Sequence, residues 1–474
     1  MFKGLGSVVG SILVTAGLTA LTVLPSSDPS SLTADDAGQV VRTSDDLGGS
    51  SDGPDTSGPA GVEGPSTTIL DGEGSGRVET ESSTGGVTTS EQAGPRGGTE
   101  TTSTDAAPAE QQESGASDPG PDGQSELTDV NPGPVPEGSN QTGDDAISFA
   151  VTGDVLIHSP VARAASTGTG YDFVPMFAQV APLISAADVG ICHMETPISA
   201  DNNDLSGYPV FSAPHEIAQA LAASGYDGCS TASNHSIDQG FDGVTATLDA
   251  LEAAGLAHAG TARSQQESLG VTTYVVKGQR IAHLSYTYGT NGIPIPSEQP
   301  WSVQLIDANA IVRAASEVRQ AGASAVIVSL HWGQEYQVDP TGEQERVAEA
   351  LASSGAVDVI VGHHAHVVQP VEFIDDTLVI WGLGNLLSNQ GAGCCSARSQ
   401  DGVVISFRLV SVDGRLRPTG VLAHPTWVDR ANGYKVVDIA NSPAGSELCA
   451  SWNRTVETMR DRSNVVEIPS SNCG

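Results

Sequence analysis

The stretch DVIVGHHAHVVQP runs from Asp358 to Pro370. It opens on Val359, Ile360 and Val361, a short apolar run that reads as a buried strand. It then passes through Gly362 into His363, His364 and His366. The chain has only eleven histidines, so three of them at one strand end raise the question of their partners. Imidazoles so placed bind metal, move protons or fill a polar core, and the neighbouring elements decide which.

Outward from this point, strand and helix patterns alternate. ISFAVTG (147–153), DVGICHME (188–195), YDGCSTASNH (226–235), SAVIVSLHWG (324–333) and GVVISFRLV (402–410) read as strands. VTTYVVKGQRIAHLSYT (271–287) reads as a hairpin about Lys277-Gly278, and TLVIWGLGNLL (377–387) follows the histidine stretch as a further apolar segment. Helical patterns cover 176–187, 214–225, 243–255, 307–322 and 342–355, with Gly225 and Gly255 as stops. The alternation predicts an α/β fold with a largely parallel or mixed sheet.

In such folds ligands gather beyond the carboxyl ends of the strands. The first strand delivers Asp154 and His158, the second His193 and Glu195, the third Asn234, His235 and Asp238. A later strand delivers His331 and Glu335, and the last His363, His364 and His366. A lone histidine after a strand is ordinarily a satisfied core or surface residue, and an Asn-His pair is ordinarily turn chemistry. The joint occurrence at five strand ends is what points to a site. Carboxylate, imidazole and amide together suit Mn, Fe or Zn rather than a thiolate centre. Two divalent ions a few ångströms apart need about this many ligands, and their chemistry is hydrolysis with a clamped phosphate. Asp238 either orients His235 or holds a turn; Trp332, Glu335 and Tyr336 either wall a groove or pack and solvate. Asn385 in GLGNLL reads as a structural turn, and Arg163 and Arg263 as possible anion contacts. Neither a Gly-x-Ser-x-Gly elbow at a strand end nor a phosphate or dinucleotide loop is present.

Composition bounds the setting. The 474 residues carry a formal charge of −37 and include Lys3, Lys277 and Lys435 as the only lysines. With no basic footprint, nucleic acid is excluded as a partner. Residues 1–25 hold an apolar run, read as a cleaved export peptide or an uncleaved membrane anchor. Residues 26–145 are rich in Gly, Ser, Thr and Pro with a net charge of roughly −21, and read as a disordered acidic linker spanning roughly 60 Å. Both readings place the remainder at the extracellular face of the cell, membrane-anchored or secreted. None of the six cysteines forms a zinc-finger spacing. Cys394 or Cys395 is expected to pair with Cys449 or Cys473, while Cys192 and Cys229 read as buried thiols.

GDVLIH, METP, SNHSIDQG, HWGQEY, GHHAHVVQP and GLGNLL together resemble the CapA capsule-biosynthesis, or poly-γ-glutamate synthesis, family over about residues 147–390. That family's fold is similar to the calcineurin-like metallophosphatases, an α-β-β-α sandwich of mixed sheets. The resemblance implies a domain over 146–425 and a C-terminal extension over 426–474, with a disulfide as its candidate tie. It implies metal ligands at Asp154, Glu195, Asn234, His331, His364 and His366. His158 stands as a substitute ligand, because Leu156 occupies the histidine position of the phosphatase Asp-x-His motif. It implies catalysis by His235 with Asp238, and substrate contacts from His193, His363 and Glu335. The expected function is biosynthesis or export of poly-γ-glutamate or a similar anionic envelope polymer, with membrane-embedded partners. The alternatives are a secreted phosphoesterase acting on a phosphoester substrate without a capsule role, and a catalytically silent scaffold.

Overall fold

A computed structural model describes residues 145–473, so the apolar segment and the acidic linker lie outside the described residues. Fifteen strands are found among them, β1 (Ile147–Val155), β2 (Val189–Met194), β3 (Gly228–Ser230), β4 (Ala257–Ala259), β5 (Thr272–Val276), β6 (Gln279–Thr287), β7 (Ala325–His331), β8 (Val359–His363), β9 (Val371–Ile374), β10 (Thr377–Ile380), β11 (Asn385–Leu387), β12 (Asp401–Val412), β13 (Arg415–Asp429), β14 (Lys435–Asp438) and β15 (Val466–Glu467). They form two mixed sheets. The first has the order β14-β13-β12-β1-β2-β3-β4, with β11 beside β1 and β15 beside β13. The second has the order β5-β6-β7-β8-β10-β9. The inner strands β1 to β4 and β6, β7, β8, β10 run parallel within their sheets.

The sheets pack face to face. Ile147, Phe149 and Val151 of β1 meet Ile327 of β7 and Val359 and Val361 of β8 in one apolar layer. Outside the first sheet lie the short helices α1 (Ser159–Ala165), α2 (Val174–Phe177) and α3 (Ala181–Ser185) with α4 (Glu216–Ala223) and α5 (Gly240–Ala253). After α6 (Gln265–Ser268), helices α7 (Ala308–Gln320) and α8 (Gly342–Ser353) cover the second sheet, and α9 (Ser446–Arg460) follows β14. With both faces covered, the inner strands are buried almost throughout rather than on alternate positions. Asp307 caps α7, and Thr341 with Gln344 forms a reciprocal cap on α8.

Several readings differ in the structure. The helix expected over 176–187 is two short helices, because Pro175 and Pro182 each sit in a first turn where a missing N–H is tolerated. TLVIWGLGNLL is two strands in different sheets, β10 and β11. Between them, Trp381 to Gly384 crosses from one sheet to the other against two glycines. A Cβ on Gly362 would lie 1.9 Å from the Trp381 carbonyl oxygen, and one on Gly153 would lie 2.0 Å from that of Gly384. β13 runs across residue 425, so the chain beyond it continues the first sheet rather than leaving it. Cys192 and Cys229 are not thiols but a disulfide between paired positions of β2 and β3. The late cysteines pair as Cys394–Cys395 and Cys449–Cys473, the second tying α9 to the C-terminal tail.

Candidate metal centre

The carboxyl ends of β1, β2 and β3 in one sheet and of β7 and β8 in the other converge. Asp154 stands in β1, one residue before its end, with 1% of its surface exposed. Its Oδ2 accepts the His364 backbone N–H at 3.2 Å and lies 3.0 Å from His366 Nδ1. Its Oδ1 lies 3.3 Å from His363 Nδ1. Glu195 follows β2, equally buried, with Oε1 3.7 Å from His366 Nε2. His364 and His366 both take positive φ, +85° and +54°. That left-handed backbone is strained for a histidine and is tolerated where function over-determines it. The alternation turns both imidazoles into the cluster.

A polar chain runs through the middle. Ser230 Oγ meets His193 Nδ1 at 2.7 Å, His193 Nε2 meets His331 Nδ1 at 2.9 Å, and His331 Nε2 meets Asn234 Oδ1 at 2.9 Å. An amide oxygen only accepts, so in this form His331 carries its proton on Nε2. Two ligands at right angles on one ion, each about 2.1 Å from it, stand about 3 Å apart. The His331–Asn234 separation matches that figure.

The electrostatics show a demand for positive charge. Burial pushes the Asp154 carboxyl up, but bonds from His363 and His366 outweigh it and hold it well below the usual range. Burial pushes Glu195 well up, with His366 opposing. Burial pushes His366 down, yet the Glu195 and Asp154 carboxylates lift it to about 9. Burial takes His193 and His331 well below their ordinary value and His364 to about 3, so these imidazoles are neutral. Asp154 Oδ1, both Glu195 oxygens and His364 Nδ1 are buried without a hydrogen-bond partner. Buried orphan acceptors of this kind are what a cation would satisfy, so the residues present fit divalent metal.

At this site three ligand groups have their atoms within 4.8 Å of one another: Asp154, Glu195 and His366; Asp154, His193 and His363; and Glu335, His364 and His366. Most sequence candidates are therefore brought together. His158 is not among them: its Nδ1 lies 3.2 Å from the Leu156 carbonyl oxygen and 3.3 Å from the Asn389 N–H, with its ring edge-on to Phe211. Leu156 is core. His193 and His363 stack with ring centroids 4.0 Å apart, and with Asp154 they form one of the groups that could hold an ion. Glu335 is exposed at the mouth. His235 Nδ1 meets Asp238 Oδ2 at 2.8 Å, and that oxygen also accepts the Phe211 N–H at 2.7 Å. Asp238 thus orients His235. Arg263 binds Asp249, Glu252 and Glu267 and is spent on them, and Arg163 is exposed on α1.

Three functional positions escaped the sequence reading. Asn385 is no turn: it begins β11, holds His366 Nδ1 with Oδ1 at 3.0 Å, and is held by Gln390 and the Ser399 carbonyl. Tyr288 lies over His364 at 4.6 Å and, half exposed, walls the mouth. Asn291 accepts from Asn234 Nδ2 at 3.2 Å and faces His235 Nε2 at 3.5 Å. The GLGNLL motif was a signal for Asn385; the loop after β6 carried none.

Two mixed sheets face to face, helices outside, and carboxylates with imidazoles at converging strand ends define a two-sheet α/β protein with a candidate metal centre. The family is narrower. The match to Bacterial capsule synthesis protein PGA_cap covers residues 148–390, slightly more than half of the chain, and the chain belongs to that family. It is similar to the PGA biosynthesis protein CapA of Bacillus subtilis (strain 168), 28% identical over 286 residues, covering 59% of this chain and 73% of that protein. It is also similar to the capsule biosynthesis protein CapA of Bacillus anthracis, 27% identical over 276 residues, or 56% of this chain. The matched part spans 64% of the length of the Bacillus anthracis protein. Among solved structures, a 5'-nucleotidase precursor from Thermus thermophilus is similar at a TM-score of 0.40 and 15% identity, covering 66% of this chain and 58% of that one. The calcineurin-like phosphoesterase YfkN from Bacillus subtilis gives 0.36 and 14%, covering 66% and 97%.

Proposed function

We propose that this chain serves the synthesis or export of poly-γ-glutamate or a similar anionic envelope polymer at the outer face of the cell. We further propose that its buried centre holds two divalent ions, Mn, Fe or Zn, for phosphoester hydrolysis. The family and the names of the Bacillus relatives support the polymer role. Three disulfides among the described residues support an oxidising compartment. The observation that carries the hydrolytic reading is the set of orphaned, buried carboxylate oxygens on Asp154 and Glu195 beside His366.

Asn234, His331 and His364 would hold one ion and Asp154 with His366 the other, with Glu195 between them. When bound, such ions polarise a phosphoryl oxygen and lower the pKa of water. The chain's own groups do the rest. Asp238 accepts from His235 Nδ1–H, which fixes the ring; in the imidazolium form, which Asp238 would stabilise, Nε2–H is the group that gives its proton to a departing oxygen and leaves the neutral ring. Asn385 fixes the ring of His366, and Tyr288 closes one wall against water.

Elemental analysis of the purified full chain, followed by turnover of bis(p-nitrophenyl) phosphate with added Mn²⁺, tests this reading. Two equivalents of metal and turnover are expected. A second reading rests on Leu156, which removes one expected ligand: a single equivalent with narrower chemistry. No metal after reconstitution would overturn the hydrolytic part and leave a scaffold in a membrane complex.

A further inference from the structure

Arg430 lies beyond the family match, which ends at residue 390. It opens a short 3-10 turn, Arg430–Asn432, after β13. Its Nη2 donates to Asn389 Oδ1 at 3.3 Å, an oxygen that also accepts from Tyr434 Oη at 2.7 Å. The backbone N–H of the same Asn389 meets His158 Nδ1 at 3.3 Å. The His158 ring lies edge-on to Phe211 at 5.2 Å, and Phe211 lies edge-on to His235 at 4.7 Å, so a continuous run of side chains links Arg430 to the centre.

The guanidinium is left wanting. Arg319, Arg454 and Arg462 each hold a carboxylate, at Asp358, Asp401 and Glu345. No carboxylate pairs with Arg430 among the described residues, and its Nε is buried without any acceptor. Arg280 and Arg398 are also half-buried with no carboxylate pairing among the described residues, and what sets Arg430 apart is its link through Asn389 to His158. A charged donor left unpaired away from water is costly, more so than a neutral one. The local chain also makes room for it: a Cβ on Gly391 would lie 2.1 Å from Arg430 Nη1.

We propose that Arg430, beside His158, forms an anion-binding subsite next to the metal centre. It takes the carboxylate or phosphoryl group of a substrate through the planar fork that suits two-oxygen anions. The subsite names the substrate class of the proposed centre and rests on that reading for its purpose, but its anion binding is measurable without turnover.

The test is calorimetric titration of the full chain with inorganic phosphate and with tri-γ-glutamate, each with and without Mn²⁺. The variants are Arg430→Gln, which removes the charge, and Asn389→Asp, which offers the guanidinium an internal carboxylate. Melting temperature and metal content control for folding. Both variants are expected to bind about ten- to a hundredfold more weakly than the wild type with metal content unchanged, as loss of charge-assisted hydrogen bonds implies. A response to phosphate alone assigns a phosphoryl ligand, and a response to tri-γ-glutamate alone a carboxylate. Equal affinities across the three proteins, or no binding of either probe by the wild type, would overturn the subsite. If Arg430→Gln does not fold, Asn389→Asp decides. Absence of metal in the wild type would sink the hydrolytic reading and still leave the metal-free titration to judge Arg430.

Discussion

Glu195→Gln should reverse its effect on stability when metal is supplied. In the metal-free chain both Glu195 oxygens are buried without a donor, and burial drives its pKa up. A buried, unpaired charge costs several kcal/mol, part of which the raised pKa relieves. An amide of the same shape is cheaper to bury. The metal-free variant should therefore exceed the wild type by about 1–3 kcal/mol. For a folded unit of this size that is roughly 1–2 °C in melting temperature per kcal/mol. With metal the sign turns. Loss of a carboxylate from the proposed ion site would weaken binding, and each tenfold loss removes about 1.4 kcal/mol of ligand-linked stability. Scanning calorimetry of the full chain, stripped with chelator or saturated with Mn²⁺, should place the variant above the wild type in the first case and below it in the second. A variant that melts lower in both would mean that the fold itself holds the carboxylate, and the reasoning from orphaned oxygens would fail.

Other outcomes follow from the same geometry. His364→Ala should lower metal content more than His363→Ala; equal losses would make His363 a full ligand in place of the histidine that Leu156 lacks. Asp238→Asn should cut phosphodiester turnover about a hundredfold or more at unchanged metal content, because His235 loses the partner that fixes its proton; unchanged turnover would reduce Asp238 to a turn residue. Burial lowers His366 but the two carboxylates lift it to about 9, above an unfolded value near 6.5. Its contribution to the metal-free fold is thus full below pH 6.5 and lost as pH rises through 9. The chelated wild type should lose melting temperature across that window, and His366→Gln should not; parallel curves would contradict the assignment. Asp358→Ala should cost about 3–5 kcal/mol by urea titration, since it strands Arg319 and the Val326 N–H; a loss below about 1 kcal/mol would show water replacing the carboxylate.

The strand ends were legible because each inner strand is a short apolar run followed at once by polar groups, as in VGICHME and VIVGHH. That pattern follows from sheets covered on both faces with ligands beyond their ends. What sequence left hidden depends on distant chain meeting distant chain. Cys192 and Cys229 pair because β2 and β3 lie side by side in register, a relation no spacing encodes. Asn385 looked like a turn because its motif is bracketed by glycines, yet those glycines serve the close passage of the crossing segment. His158 was legible as a nearby imidazole, but the direction of its ring depends on Asn389, more than two hundred residues away. The stretch 176–187 carried a helical period, and Pro182, which opens a new helix, divided it.

The passage of Trp381 to Gly384 between the sheets has a mechanical consequence. It is bonded on one side to β1, where the Asp154 N–H meets the Gly384 carbonyl at 3.0 Å, and on the other to β8, where the Leu383 N–H meets the Gly362 carbonyl at 3.3 Å. It stitches the two layers together right beside the polar cluster, whose ligands come half from one layer and half from the other. A load that slid one sheet over its neighbour would have to tear this seam and separate Asp154 from His364 in the same movement. An ion held across the layers would act as a rivet in that seam, so the grip of the two halves on each other and the grip of the centre on its cargo would yield together.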